Sequence, residues 1–173
     1  MVRLLRLAVL IASGAIAACA SGSGAPDFTL RDDHGAPWRL AQQSKAVLLT
    51  FGFTRCADTC PATLAKLARV TRSLGTRSNH VEIAFVTVDP RHDTAPIIHR
   101  FLGRFDASGE TLVGLTGTPA EIAAVERAYH VWARNGVHTA VIFLIDERHR
   151  MRGVRDDDES DRSLERAVSE MLG

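Results

Sequence analysis

Three near-continuous apolar runs, Ala46 to Phe53, Val81 to Val88 and Ala140 to Ile145, constrain this chain more than any other feature. Each lacks the alternation of a strand with one wet face and reads as a strand buried on both faces. Stretches with helical spacing lie between and after them. Pro61 stands where the first turn of a helix would be, with Asp58 or Thr59 as its cap, Leu64, Leu67, Ala68 and Leu74 as its apolar face and Gly75 as its stop. Ile97, Ile98, Phe101 and Leu102 mark the apolar face of a second helix. Thr118-Pro119-Ala120-Glu121 is a capping box that opens a third, running to about His130. Ser160 or Asp161 opens the last, with Leu164, Val168 and Leu172 facing inward. Asp33-His34-Gly35 is a turn signal between two short segments of Phe28 to Leu40, which predicts a hairpin. Thr111 to Leu115 reads as a short strand, and Met151 to Val154 as the partner of the strand before it across a tight turn. Buried strands alternating with helices predict an α/β layered domain, and the last, antiparallel pair makes its sheet mixed.

The chain has 173 residues, enough for one domain with a real core. Its 21 basic and 20 acidic residues leave a formal net charge of +1. No basic excess is available to neutralise phosphates, so nucleic acid is not an expected partner.

The first eighteen residues read as an address. Arg3 and Arg6 precede an apolar run from Leu7 to Ile11 and then small residues, the order of a secretory signal, and no further charge appears until Asp27. The apolar run is shorter than the roughly 20 residues a permanent spanning helix needs. Ile16-Ala17-Ala18-Cys19 resembles the lipobox of bacterial lipoproteins, which implies that Cys19 is lipidated and becomes the first mature residue. Ser21-Gly22-Ser23-Gly24 then supplies a flexible tether. The expected organisation is a signal over residues 1–18, a lipidated cysteine and tether over 19–25, and one domain over 26–173. Loss of the two signal arginines leaves 19 basic against 20 acidic residues, so the exported part is nearly neutral. Its compartment, the periplasmic side of a bacterial membrane, is oxidising.

Cys56 and Cys60 directly follow the first buried strand and precede a helix. In an open α/β sheet the crevice beyond the strands' carboxyl ends is where ligands bind. Cysteines four apart face the same way once the chain turns helical, and the helix N-terminus favours the thiolate, the form that binds metals and attacks disulfides. Three readings compete on these residues alone. A structural disulfide fits the spacing but would close a short loop and constrain the unfolded chain little. A redox pair is more often spaced by two residues than by three. A soft-metal site needs a third ligand from elsewhere. Of the seven histidines, His34, His80, His99 and His149 read as solvated or turn residues. His92 lies in the loop after the second buried strand, and His130 ends a helix. His138 stands directly before the third buried strand, where its neighbours hold it in place.

Phe51-Gly52-Phe53-Thr54-Arg55-Cys56-Ala57-Asp58-Thr59-Cys60-Pro61-Ala62-Thr63-Leu64 resembles the signature of the Sco/SenC family, thioredoxin-fold proteins that handle copper for cytochrome c oxidase. Further blocks follow in the family's order: Val88-Asp89-Pro90-Arg91-His92-Asp93-Thr94, Phe105-Asp106, Leu115-Thr116-Gly117-Thr118, and His138-Thr139 before Phe143-Leu144-Ile145-Asp146. The resemblance covers roughly residues 26–155. It implies a thioredoxin-like three-layer sandwich with a mixed central sheet and an N-terminal β-hairpin. It implies copper, Cu(I) or Cu(II), as the metal, with Cys56, Cys60 and His138 as ligands and Asp89 in a supporting role. His138 falls where thioredoxin-like folds usually carry a cis-proline against the active cysteines. Ala57 stands where the family often has Pro, and Val137 where an acidic residue is common.

The expected function is that of a membrane-tethered copper chaperone loading the dinuclear copper site of a respiratory oxidase, with the oxidase's copper-accepting subunit as partner. A copper donor or thiol reductant of the same compartment would act before it. The rival reading is a thiol–disulfide oxidoreductase that uses Cys56 and Cys60 to reduce the oxidase subunit's cysteines before metallation. A peroxide-reducing protein of the same fold is a third, but nothing in the sequence specifies a peroxidatic pocket.

Overall fold

The computed structural model describes residues 23–105, 111–131 and 141–173, and the backbone alone at 133–134 and 137–138. The signal, the lipobox with Cys19, and Asp106 lie outside the described residues. A β-hairpin comes first, β1 (Thr29–Asp32) and β2 (Pro37–Arg39). Its turn closes as the sequence predicts: Asp32 Oδ1 accepts from the backbone N–H groups of His34 and Ala36 at 3.0 and 2.7 Å, and Gly35 takes the left-handed φ of 89° that favours glycine.

Then follow β3 (Ala46–Gly52), α1 (Thr59–Ser73), β4 (Val81–Thr87), α2 (Ala95–Leu102), β5 (Leu112–Thr116) and α3 (Pro119–Ala128). A two-residue pair, β6 (Ala133–Arg134) and β7 (Val137–His138), precedes β8 (Val141–Ile145), β9 (Met151–Asp156) and α4 (Asp161–Leu172). The main sheet has seven strands in the order β2-β1-β5-β4-β3-β8-β9. β3, β4 and β5 run parallel, while β8 is antiparallel to β3 and the hairpin to β5, so the sheet is mixed.

Period-2 alternation of the central strands divides the core between the two faces. Leu48, Ile83, Phe85, Ile142 and Leu144 pack under α1, α2 and α4. Val47, Leu49, Phe51, Val86, Phe143 and Ile145 pack on the other face, against Ile122 and Val125 of α3. Helices therefore cover both faces of the sheet, the three-layer sandwich that the resemblance implies. The capping box at Thr118 and Glu121 forms in both directions, and Ser160 caps α4 by accepting from the Ser163 N–H at 3.3 Å.

Two expectations need correcting. Ile97 is 39% exposed and does not belong to the buried face of α2, which consists of Ile98, Phe101 and Leu102. Successive helical residues point about 100° apart, so Ile97 and Ile98 do not share a narrow face. Asp58 occupies the cap position of α1, but its side chain makes no capping hydrogen bond. A sulfur atom takes that role.

Candidate metal centre

Parallel pairing sets Gly52 opposite Thr87, so the chain leaves β3 and β4 at the same end of the sheet. The loop after β3 carries Cys56, and α1 begins within it. The loop after β4 carries Asp89, His92 and Asp93. β8 runs antiparallel to β3 with Ile142 opposite Thr50, so the segment leading into β8 arrives at this same end. His138 belongs to that segment, on β7, where its backbone pairs with Ala133. Its side chain lies outside the described residues.

Cys56 is half-buried, and Cys60 is 3% exposed on the first turn of α1. The Cys60 backbone N–H donates to Cys56 Sγ at 3.3 Å. The first N–H groups of a helix have no partner within it, so this sulfur satisfies one of them as a side-chain oxygen usually does. The consequence is electrostatic. Partial burial disfavours the Cys56 thiolate, but hydrogen bonds from the Cys60 side chain and from the backbone at Cys60, Asp58 and Thr59 outweigh it and set its pKa below the ordinary thiol value. Cys60 moves the other way: burial, then the hydrogen bond to Cys56, push its thiol up to about 12. The two sulfurs thus differ in both access and proton affinity.

Gly52 lets Cys60 sit where it does. A Cβ at Gly52 would lie 2.8 Å from Cys60 Sγ and 2.7 Å from Phe85 Cε2, closer than a side-chain carbon approaches either. The buried Phe85 ring, the glycine and the sulfur pack as one unit.

The loop after β4 is tied to the cysteine loop by a buried carboxylate. Asp93 is 1% exposed; its Oδ2 accepts from the Thr54 N–H at 2.9 Å and the Thr87 hydroxyl at 2.6 Å, and its Oδ1 from the Thr54 hydroxyl at 2.6 Å. Outside this buried strap, Arg55 Nη2 donates to Asp89 Oδ2 at 2.7 Å, and His92 Nδ1 lies 2.8 Å from Asp89 Oδ1 and 3.0 Å from Arg55 Nη2. Burial opposes ionisation of Asp89, but its bonds to His92 and Arg55 prevail and hold its carboxyl below the usual range. Asp89 is therefore an anion in an Arg–Asp–His group whose arginine, Arg55, is the sequence neighbour of Cys56. Neither the Asp93 strap nor the Arg55 contact was anticipated; the polar cluster Asp89 to Thr94 beside Thr54 was the available signal.

Two thiols at a helix start, at the end of the sheet where Asp89 and the His138 segment also lie, form an arrangement suited to a soft metal ion or to disulfide exchange. The SCO1/SenC family model matches residues 20–173. The chain is 35% identical over 124 residues to the mitochondrial SCO1 homolog 1 of Arabidopsis thaliana, covering 71% of this chain and 36% of that one. It spans about two fifths of the length of the first curated relatives it matches. The copper-bound structure of Arabidopsis thaliana ScoI superposes with a TM-score of 0.77 at 29% identity, over 88% of this chain and 98% of that one. Copper-bound Bradyrhizobium japonicum ScoI gives 0.74 at 31% identity, over 87% and 99%. With a thioredoxin-like sheet, paired cysteines at its carboxyl edge and a family match from residue 20 to the last, this chain belongs to the SCO1/SenC family.

Proposed function

We propose that the protein is a membrane-tethered copper chaperone that delivers copper to the dinuclear site of cytochrome c oxidase, holding it with Cys56, Cys60 and His138. The observation that carries this reading is the placement of both thiols on one turn, one serving as the helix's N-terminal acceptor, at the end of the sheet where the His138 segment enters. Thiolates select Cu(I), and imidazole accepts both copper oxidation states. A set of two sulfurs and one nitrogen leaves a side of the ion open to an incoming ligand. Copper then passes by ligand exchange to the acceptor's cysteines without turnover of the chaperone. Asp89 supports the site as a fixed anion, its charge balanced by Arg55.

In this reading the signal covers 1–18, Cys19 carries the lipid, and the tether expected over 19–25 ends by Ser23, where the chain bridges onto the start of β9: the Met151 N–H donates to the Ser23 carbonyl at 2.9 Å and the Ala25 N–H to the His149 carbonyl at 2.8 Å. Among the described residues no helix is long and apolar enough to cross a membrane. The lipid on Cys19, read from the lipobox Ile16-Ala17-Ala18-Cys19, holds the domain on the periplasmic side of the membrane in this reading.

The divided proton affinities favour a second reading, thiol–disulfide exchange. The Cys56 thiolate attacks an acceptor disulfide and forms a mixed disulfide, releasing one acceptor thiolate. Cys60 then loses its proton, attacks Cys56 Sγ and releases the second acceptor sulfur. The acceptor gains two electrons, Cys56 and Cys60 lose them as their own disulfide, and a thiol reductant restores the pair.

A Cu(I) competition titration of the reduced chain in a Cys19→Ser background tests the first reading. One tight equivalent is expected, lost in both His138→Ala and Cys60→Ser. Binding that is weak, or indifferent to His138, overturns the chaperone reading and leaves the reductase.

A further inference from the structure

Asp33 and His34 form the hairpin tip after β1, and His99 lies on α2. Histidines of these two types read from sequence as a turn residue and a solvated helix residue, yet the fold brings them together. One donor atom from each of Asp33, His34 and His99 lies within 4.8 Å of the other two. The His34 and His99 rings stand edge to face with centroids 4.8 Å apart, and His99 Nδ1 lies 2.8 Å from Asp33 Oδ2.

The carboxylate is the fixed member. Its side chain is 6% exposed, and the Gly114 N–H donates to Oδ1 at 3.1 Å, which leaves Oδ2 toward the histidines. Gly114 also seats α2: a Cβ there would meet Ile98 Cγ2 at 2.1 Å, Leu102 Cδ1 at 3.0 Å and Asp33 Cβ at 3.3 Å. One strand residue therefore sets the spacing between hairpin tip and helix. The two imidazoles are exposed, and neither is enclosed by the core.

We infer that Asp33, His34 and His99 form a second metal site, free of sulfur, that takes a divalent first-row transition ion. Two imidazoles and one carboxylate suit Cu(II), Zn(II) or Ni(II), and of these Cu(II) binds such donors most tightly. Metal–nitrogen and metal–oxygen bonds of about 2.0–2.2 Å require the donors to close on one point, which rotation of the exposed rings supplies. An ion bound there takes His99 Nδ1 as a donor in place of its contact with Asp33 Oδ2, and the neutral ring then carries its proton on Nε2. The site is distinct from the cysteine pair. It lies three strands along the sheet from β3, beyond β4 and β5, and is set back from their carboxyl ends because Asp33 continues past the Asp32–Leu115 pair toward Gly114. A bound ion clamps the hairpin to α2, so it stabilises the fold by linkage.

The test uses the full chain with Cys19→Ser, Cys56→Ser and Cys60→Ser, titrated separately with Cu(II) and Zn(II) by calorimetry and by thermal unfolding. One saturable equivalent and a metal-dependent rise in the unfolding midpoint are expected. His34→Ala and His99→Ala, both at exposed positions, each weaken binding at least tenfold and remove the rise. Absence of saturable binding in the parent overturns the inference, as does binding unchanged by either histidine substitution, which is what sites at other histidines give. If the thiol substitutions impair folding, the same comparison is made with the thiols intact, and the expected result is the loss of one divalent equivalent.

Discussion

Gly52→Ala tests the packing that positions the buried thiol. The added methyl would start 2.7 Å from Phe85 Cε2, 2.8 Å from Cys60 Sγ and 3.2 Å from Phe85 Cζ. Neither neighbour yields easily: Phe85 is 1% exposed among Leu48, Leu64 and Phe101, and Cys60 is fixed on the first turn of α1. Overpacking of this kind costs about 2 kcal/mol. In a domain of this size that lowers the thermal midpoint by roughly 4–8 °C. Displacing Cys60 Sγ also changes its placement relative to Cys56 Sγ, so on the proposed copper reading Cu(I) affinity falls with stability. Gly153→Ala is the control, since its Cβ would meet nothing closer than Arg155 Nε at 3.9 Å. The assay is thermal unfolding of both variants beside the Cu(I) titration. A Gly52→Ala midpoint equal to that of the parent, or a Gly153→Ala loss as large, refutes the reasoning.

Two further outcomes follow from the thiol electrostatics. Iodoacetamide at pH 7 should modify Cys56 of the folded chain and leave Cys60 until the protein is unfolded, as read by mass spectrometry in a Cys19→Ser background; comparable labelling of both contradicts the assigned asymmetry. Stability should also fall at alkaline pH. The fold favours the neutral Cys60 thiol, so its contribution is whole below about pH 9, the ordinary thiol value, and is lost as pH rises toward about 12. Tyr129, whose phenol burial likewise raises, adds to the loss above pH 10. The diagnostic window is pH 9–10, where denaturant unfolding of Cys60→Ala should show a flatter decline than the parent.

The strands were legible because burial on both faces leaves an apolar run that only a central strand satisfies, as at Ala46–Gly52 and Val81–Thr87. The α3 start was legible because a capping box is a local device whose partners are three residues apart. The Asp33–His99 contact was not, because it depends on the register of β1 against β5 and on where α2 comes to rest. The Asp93 strap escaped for a similar reason: its partners come from the loop after β3 (Thr54) and from the end of β4 (Thr87), and a buried carboxylate looks like a solvated one in a polar stretch. Cys56 as the acceptor at the start of α1 was hidden by Asp58, the residue whose chemistry better suits a cap but whose side chain makes no such bond. The cysteine pair itself stood out because sulfur is scarce in this chain and both atoms fall at a strand-to-helix junction.

The Asp93 carboxylate binds both residues that flank the cleft edge, Thr54 after β3 and Thr87 at the end of β4, and its own carbonyl accepts from the Thr116 hydroxyl of β5 at 3.1 Å. Three parallel strands thus finish in one braced ridge instead of three independent loops. The ridge has little backbone freedom left to freeze out if another surface docks on it, so more of the contact energy would survive as affinity. The same bracing limits how far the ridge can adapt to a poorly matched surface, which makes recognition depend on shape already present before encounter.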